Sequence, residues 1–136
     1  MTGFPEPDAV ISTIMVVGDA DAAAGWYERV LGAELFRTYG GTTAVLQFQG
    51  MWFVLVTGGG PTPDKPGVTM AEPDDLDPVS HSLALRVEDC RATYEALRER
   101  GAEFLTPPVD RGSEIRCFFR DPDGHLFELS QSTESG

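Results

Sequence analysis

The chain has 136 residues, 41% of them hydrophobic, and a formal net charge of −12 with a pI of about 4.3. That size and apolar content suit one compact domain, or two small repeated modules sharing a core, and exclude a disordered chain. The charge argues against nucleic acid, which calls for basic stripes, and permits a cationic small molecule concentrated by a negative cleft; solubility alone is the other reading.

Residues 1–9 form an N-terminal arm with Gly, Pro and acids and with neither the basic start nor the apolar stretch of a signal peptide. Residues 10–17 are β-rich and read as the first strand. Gly18-Asp19-Ala20-Asp21 then offers an N-cap, and 22–31 reads as a helix with Trp26, Val30 and the alanines facing inward, stopped by Gly32. Strands are predicted over 34–39, 43–49 and 51–56, separated by Gly40-Gly41 and Gly50. Residues 57–80, rich in Gly, Pro and acids, form a linker or long loop that would rim any cavity.

The order then repeats. Residues 81–87 read as a strand, Asp89 as an N-cap, and 90–100 as an amphipathic helix with Arg91 and Glu95 paired at i,i+4 and Tyr94 and Leu97 in the core. Gly101 ends it, and strands follow over 102–106, 114–120 and 126–130. Residues 10–56 and 81–131 are therefore two copies of one βαβββ unit, with a tail at 132–136. The offset between the halves falls from 70 residues at Asp19 and Asp89 to 69 at Gly32 and Gly101, because the first helix is one residue longer. The predicted class is α+β.

The last turn and strand, Arg120-Asp121-Pro122-Asp123-Gly124-His125-Leu126-Phe127-Glu128-Leu129-Ser130, pose the functional question. Asp-Pro-Asp-Gly is strong turn chemistry, and Glu128 follows it in the middle of an apolar strand. A carboxylate on an interior sheet face needs a partner.

These residues, together with Val17-Gly-Asp19 through Trp26-Tyr27 to Leu31-Gly32 and with Val87-Glu-Asp89 through Leu97 to Gly101-Ala102, resemble the glyoxalase / bleomycin-resistance / extradiol-dioxygenase (vicinal oxygen chelate) superfamily. The resemblance implies paired βαβββ modules whose mixed sheets curl into a cup, commonly in a homodimer with both chains completing each cup. In metal-dependent members four cup positions bind a divalent metal. Two lie seven residues before the Asp opening each helix, here Ser12 and Ser82, and two lie on the last strands, here Val54 and Glu128. Only Glu128 has a donor of the usual kind, so no cofactor is expected; His81, one residue before the ligand position, is the other metal candidate, reachable only through a bulge.

Strand parity then gives the expected ligand-binding residues: Ser12, Ile14, Trp52, Val54, Ser82, Arg86, Leu126 and Glu128, with Ala84 and Ser130 on the same face. Glu128 is a remnant ligand, a partner for a basic ligand group, or an ion-pair partner of Arg86. His125 reads as an exposed turn residue. Neither Ser sits in a nucleophile elbow, and Cys90 and Cys117 lack an activator and metal-type spacing, reading as free thiols of a cytoplasmic protein.

The leading expectation is a metal-independent, homodimeric, cytoplasmic protein that binds or sequesters a small hydrophobic or cationic molecule such as an antibiotic, with no nucleic-acid or membrane partner. The alternative is a glyoxalase-like lyase, isomerase or dioxygenase with displaced ligands (His81, Glu128, His125), or a metal-free catalyst with Glu128 as base. A subunit that only pairs with another module protein is a third reading.

Overall fold

In the computed structural model, residues 3–134 are described; Met1, Thr2, Ser135 and Gly136, which belong to the expected arm and tail, lie outside them. The first unit contributes β1 (Ser12–Val17), α1 (Ala20–Trp26), β2 (Glu34–Tyr39), β3 (Thr43–Phe48) and β4 (Met51–Thr57). They make a mixed sheet in the order β1-β4-β3-β2, with β1 parallel to β4. The second contributes β5 (Leu83–Arg86), α2 (Cys90–Glu99), β6 (Glu103–Phe104), β7 (Val109–Asp110), β8 (Glu114–Arg120) and β9 (Leu126–Ser132). Its sheet runs β5-β9-β8-β6, with β5 parallel to β9 and β7 also on β8. The repeat is thus two α+β units of matching topology. No helix is long and apolar enough to cross a membrane among the described residues.

Both helices begin as their sequences dictate. Asp19 and Asp89 are extended and accept from the backbone N–H of Ala22 and Ala92 at 3.0 Å, caps contributing about 1 kcal/mol each. The extra residue of the first helix has a structural home. After Trp26 the helix widens into a π-helical turn, Tyr27–Leu31, closed by Gly32 at φ 74°. A single-residue insertion is accommodated this way without shifting either flanking element, and it puts Tyr27 fully into the core.

The unit-one helix and the core-facing sides of both sheets share one apolar cluster. Tyr27 packs edge-on against Phe53 at 5.7 Å and Phe127 at 6.0 Å, and Trp26 lies 6.3 Å from Phe119. Phe119 stacks on Phe127 at 5.1 Å. Alternation is strict where it matters: Ile115, Cys117, Phe119, Phe127 and Leu129 are buried, while Glu114, Arg116, Phe118, Arg120 and Glu128 between them are partly open.

Several local expectations change. The fifth strand is Leu83–Arg86, shorter than 81–87, and leaves His81 and Ser82 unpaired and exposed. The strand expected over 102–106 is only Glu103–Phe104, and β7 was not anticipated, because Pro107-Pro108 interrupts what β8 could otherwise pair in one piece. On α2, Glu95 pairs with Arg98 at 3.7 Å rather than with Arg91. The linker is partly structured, with Gly59 and Met70 bridged and Lys65 Nζ donating to the Gly60 and Val68 carbonyls.

Candidate functional site

The turn before β9 is the joint between the units. Asp121 is buried at 4% exposure. Its Oδ1 accepts from the N–H of Asp123 at 3.0 Å and of His125 at 2.8 Å, and its Oδ2 accepts from the Tyr27 hydroxyl at 2.6 Å. Burial pushes the Tyr27 phenol far up, reinforced by the Asp121 charge, so the phenol stays the donor. Burial also raises the Asp121 carboxyl, with the Tyr27 hydrogen bond and His125 opposing it. Gly18 N–H donates to Asp123 Oδ1 at 2.8 Å. His125 Nε2 lies 2.8 Å from the Val16 carbonyl, which can only accept, so Nε2 carries the proton. His125 is therefore a partly buried cross-unit tie rather than an exposed turn residue.

The linker straps this joint. Arg120 donates from Nη1 to the Gly124 carbonyl and from Nη2 to the Leu76 carbonyl, each at 2.9 Å. Gly124 has φ 96°, and a Cβ there would meet Leu76 Cδ2 at 2.5 Å. Gly124→Ala is expected to cost more than about 1 kcal/mol and to loosen the strap, because both the backbone and the contact oppose a methyl group. Faster proteolytic cleavage within 71–80 at unchanged far-UV circular dichroism checks this. Under the strap lies a cleft of about 400 Å³ that gathers Ile14 and Leu126 with both histidines, His81 and His125, and with Leu76 and Val79.

The predicted binding residues fall into two groups on two sheets. On the first, Ser12 sits opposite Trp52 and Ile14 opposite Val54, with Ile14 57% exposed. A residue the sequence reading passed over joins them. Between Leu35 and Arg37 the pairing with β3 slips by one, and the extra residue, Phe36, meets Trp52 edge-on at 5.2 Å. The adjacent apolar pair Leu35-Phe36, which breaks alternation, was the available signal. Arg37 lies over Phe36 at 5.3 Å.

On the second sheet Glu128 sits between Ala84 and Phe118, and Leu126 and Arg86 share its face. The Arg86–Glu128 ion pair does not form. Arg86 Nη2 is 3.3 Å from Glu114 Oε2, and Arg116 Nη1 is 3.0 Å from Glu114 Oε1. Arg86 stands one row along the strand from Glu128, opposite Ser130, in line with Arg116 across β9. Among the described residues Glu128 takes part in no ion pair. Ser82 precedes β5 and pairs with nothing in the sheet. Ser130 is on the Glu128 face but buried, at 2% exposure. Of the eight residues, Ile14 and Leu126 meet in the cleft under the strap. The outer edges of β1 and β5 have no strand partner among the described residues.

The divalent metal of the family does not fit this donor set. Val54 offers hydrocarbon, Ser12 and Ser82 are exposed neutral hydroxyls, and Glu128 is the one carboxylate among the four positions. Among the described residues no three His, Cys, Asp or Glu side chains are grouped to hold an ion. Thiol chemistry is equally unsupported. Burial raises the Cys90 thiol and pushes Cys117 up to about 12, and the two sulfurs lie 3.9 Å apart inside the core.

Comparisons with known proteins agree with the geometry. Residues 9–129 match the family model described as the Glyoxalase/Bleomycin resistance protein/Dioxygenase superfamily. A lactoylglutathione lyase of Haemophilus influenzae is 30% identical, over 93% of this chain and 96% of its own. A glyoxalase/bleomycin resistance protein/dioxygenase from Nocardioides superposes with TM-score 0.76 at 24% identity, covering 96% of this chain and 87% of the other. The fosfomycin resistance protein FosX of Listeria monocytogenes superposes with TM-score 0.65 at 17% identity, covering 94% and 96%.

Proposed function

For a chain that belongs to the Glyoxalase/Bleomycin resistance protein/Dioxygenase superfamily, we propose metal-independent binding of a small hydrophobic or cationic molecule, an antibiotic being one such ligand. The observation that carries this reading is the donor set: of the four positions where relatives would place ligands, three are Ser12, Val54 and Ser82. What remains suits recognition of an apolar cation. Trp52 and Phe36 offer aromatic faces, and Glu128 is a part-buried carboxylate without an ion-pair partner among the described residues.

Glu128 and the aromatic pair lie on different sheets, and the edges of β1 and β5 are open. A homodimer in which β1 of one copy lies beside β5 of the other brings the faces together into a cup, from units 10–56 and 81–131, with 57–80 as its rim. The expected setting is the cytoplasm. Titration of purified protein with planar aromatic and cationic antibiotics tests the reading. Trp52 is the half-open tryptophan, Trp26 being 6% exposed, so binding is read as a change in indole emission. No binding across the panel overturns the proposal.

The relative from Haemophilus influenzae favours a second reading, a glyoxalase-like lyase built around Glu128. Protein prepared without chelator decides it. Less than about a tenth of an equivalent of metal per chain, given the tight binding of a true site, together with no lactoylglutathione formation when Zn²⁺ or Ni²⁺ is added, rejects the lyase.

A further inference from the structure

We propose that Arg86 and Arg116 form an anion-recognition point, so that the ligand is a zwitterion with an apolar body rather than a simple cation; this rests on the cup reading above. Three observations carry it. First, register places the two arginines in one row across β5, β9 and β8, with Ser130 between them. Second, Glu114 bridges them, one carboxylate oxygen to each, at 3.3 and 3.0 Å. Two guanidinium groups against one carboxylate leave a positive charge. Each arginine uses one terminal nitrogen on Glu114, which leaves other donors of the planar fork free for a carboxylate or phosphate. Their side chains are 58% and 37% exposed, so a ligand can reach them. Third, the neighbouring row on the same face holds Glu128 between Ala84 and Phe118. Two residues along a strand separate the rows by about 7 Å.

The face therefore presents a carboxylate and a clamped pair of cations on neighbouring rows whose backbones are about 7 Å apart, with Phe118 and Leu126 as apolar surface beside them. A molecule with an amine and a carboxylate at that separation, joined by a hydrophobic frame, satisfies both. An apolar dipeptide has this spacing. Clamping by Glu114 also lowers the ordering cost that two free arginines would otherwise bring to binding.

The test uses three probes on the full chain, followed by calorimetry: phenylalanyl-phenylalanine, its C-terminal amide, and its N-acetyl derivative. The dipeptide is expected to bind at least about tenfold more tightly than the amide, the gain of one charge-assisted contact. Arg116→Gln and Arg86→Gln are each expected to bring the dipeptide-to-amide affinity ratio close to one, and Arg116→Lys restores part of it. Equal binding of dipeptide and amide, equal weakening of both by Arg116→Gln, or no binding of any probe overturns the inference. If cationic aromatic antibiotics still bind in those cases, the cup reading stands and only the anion point falls.

Discussion

Asp121→Ala is expected to destabilise the chain by about 3–5 kcal/mol, enough to consume much of the margin of a domain this size. The reason is how many groups depend on one buried carboxylate. Removing it takes the acceptor from the N–H groups of Asp123 and His125 and leaves the Tyr27 hydroxyl with only the weak acceptor Met15 Sδ at 3.5 Å. The turn then loses its hold on His125, whose ring reaches across to Val16, and the two units lose their polar joint. Tyr27→Phe removes a single donor and should cost about 1–3 kcal/mol. Urea unfolding of both variants and of the double variant measures the coupling. The double variant should be less destabilised than the two singles added together, because they remove one shared interaction. Equal sums would show that the joint is not a unit. Asp121→Asn adds a pH signature. Because burial raises the folded carboxyl above its ordinary value near about 4, its favourable contribution is complete below that pH and is lost as pH rises through the folded value. The asparagine variant should lack this slope in the mildly acidic range.

Strand parity and helix ends were legible because they are local. Alternation in Glu114–Arg120 and in 126–129 set which side of each strand is buried, and the structure keeps it up to Ser130, which is buried on the Glu128 face. Asp89 marked the second helix start, and the first helix begins at Ala20, directly after Asp19 and ahead of the expected residue 22. Even the π-turn had a trace in the sequence, as a one-residue mismatch between the two halves. The partners that decide the site were not legible, because they are distant in the chain. Tyr27 and Asp121 are 94 residues apart, Arg86 and Glu114 are 28 apart, and neither spacing has a local period. The ion pair with Arg86 is one of three readings the sequence leaves open for Glu128, and it rests on the general rule that a cup carboxylate finds a cation nearby. In the structure, Glu114 holds Arg86 and Arg116 together one row away. A bulge moved Phe36 onto the Trp52 face, and parity arguments fail wherever one residue is inserted. The strap was read as composition, whereas its position follows from Arg120 and from the missing Cβ at Gly124.

Glu128→Gln is expected to separate function from stability. If the carboxylate receives the cationic group of a ligand, the neutral side chain loses a charge-assisted contact of about 1.5–3 kcal/mol, a ten- to hundredfold loss of affinity for cationic ligands. The fold should not suffer. Glu128 lies among Ala84, Phe118 and Leu126, is partly buried, and has no ion-pair partner among the described residues, so the substitution breaks no ion pair. The glutamine keeps the shape and removes the charge, and thermal unfolding of the variant should match or exceed that of the parent. A variant that unfolds earlier and binds cationic ligands unchanged would instead make Glu128 a structural residue, and the ligand's charge would have to be met elsewhere on the face.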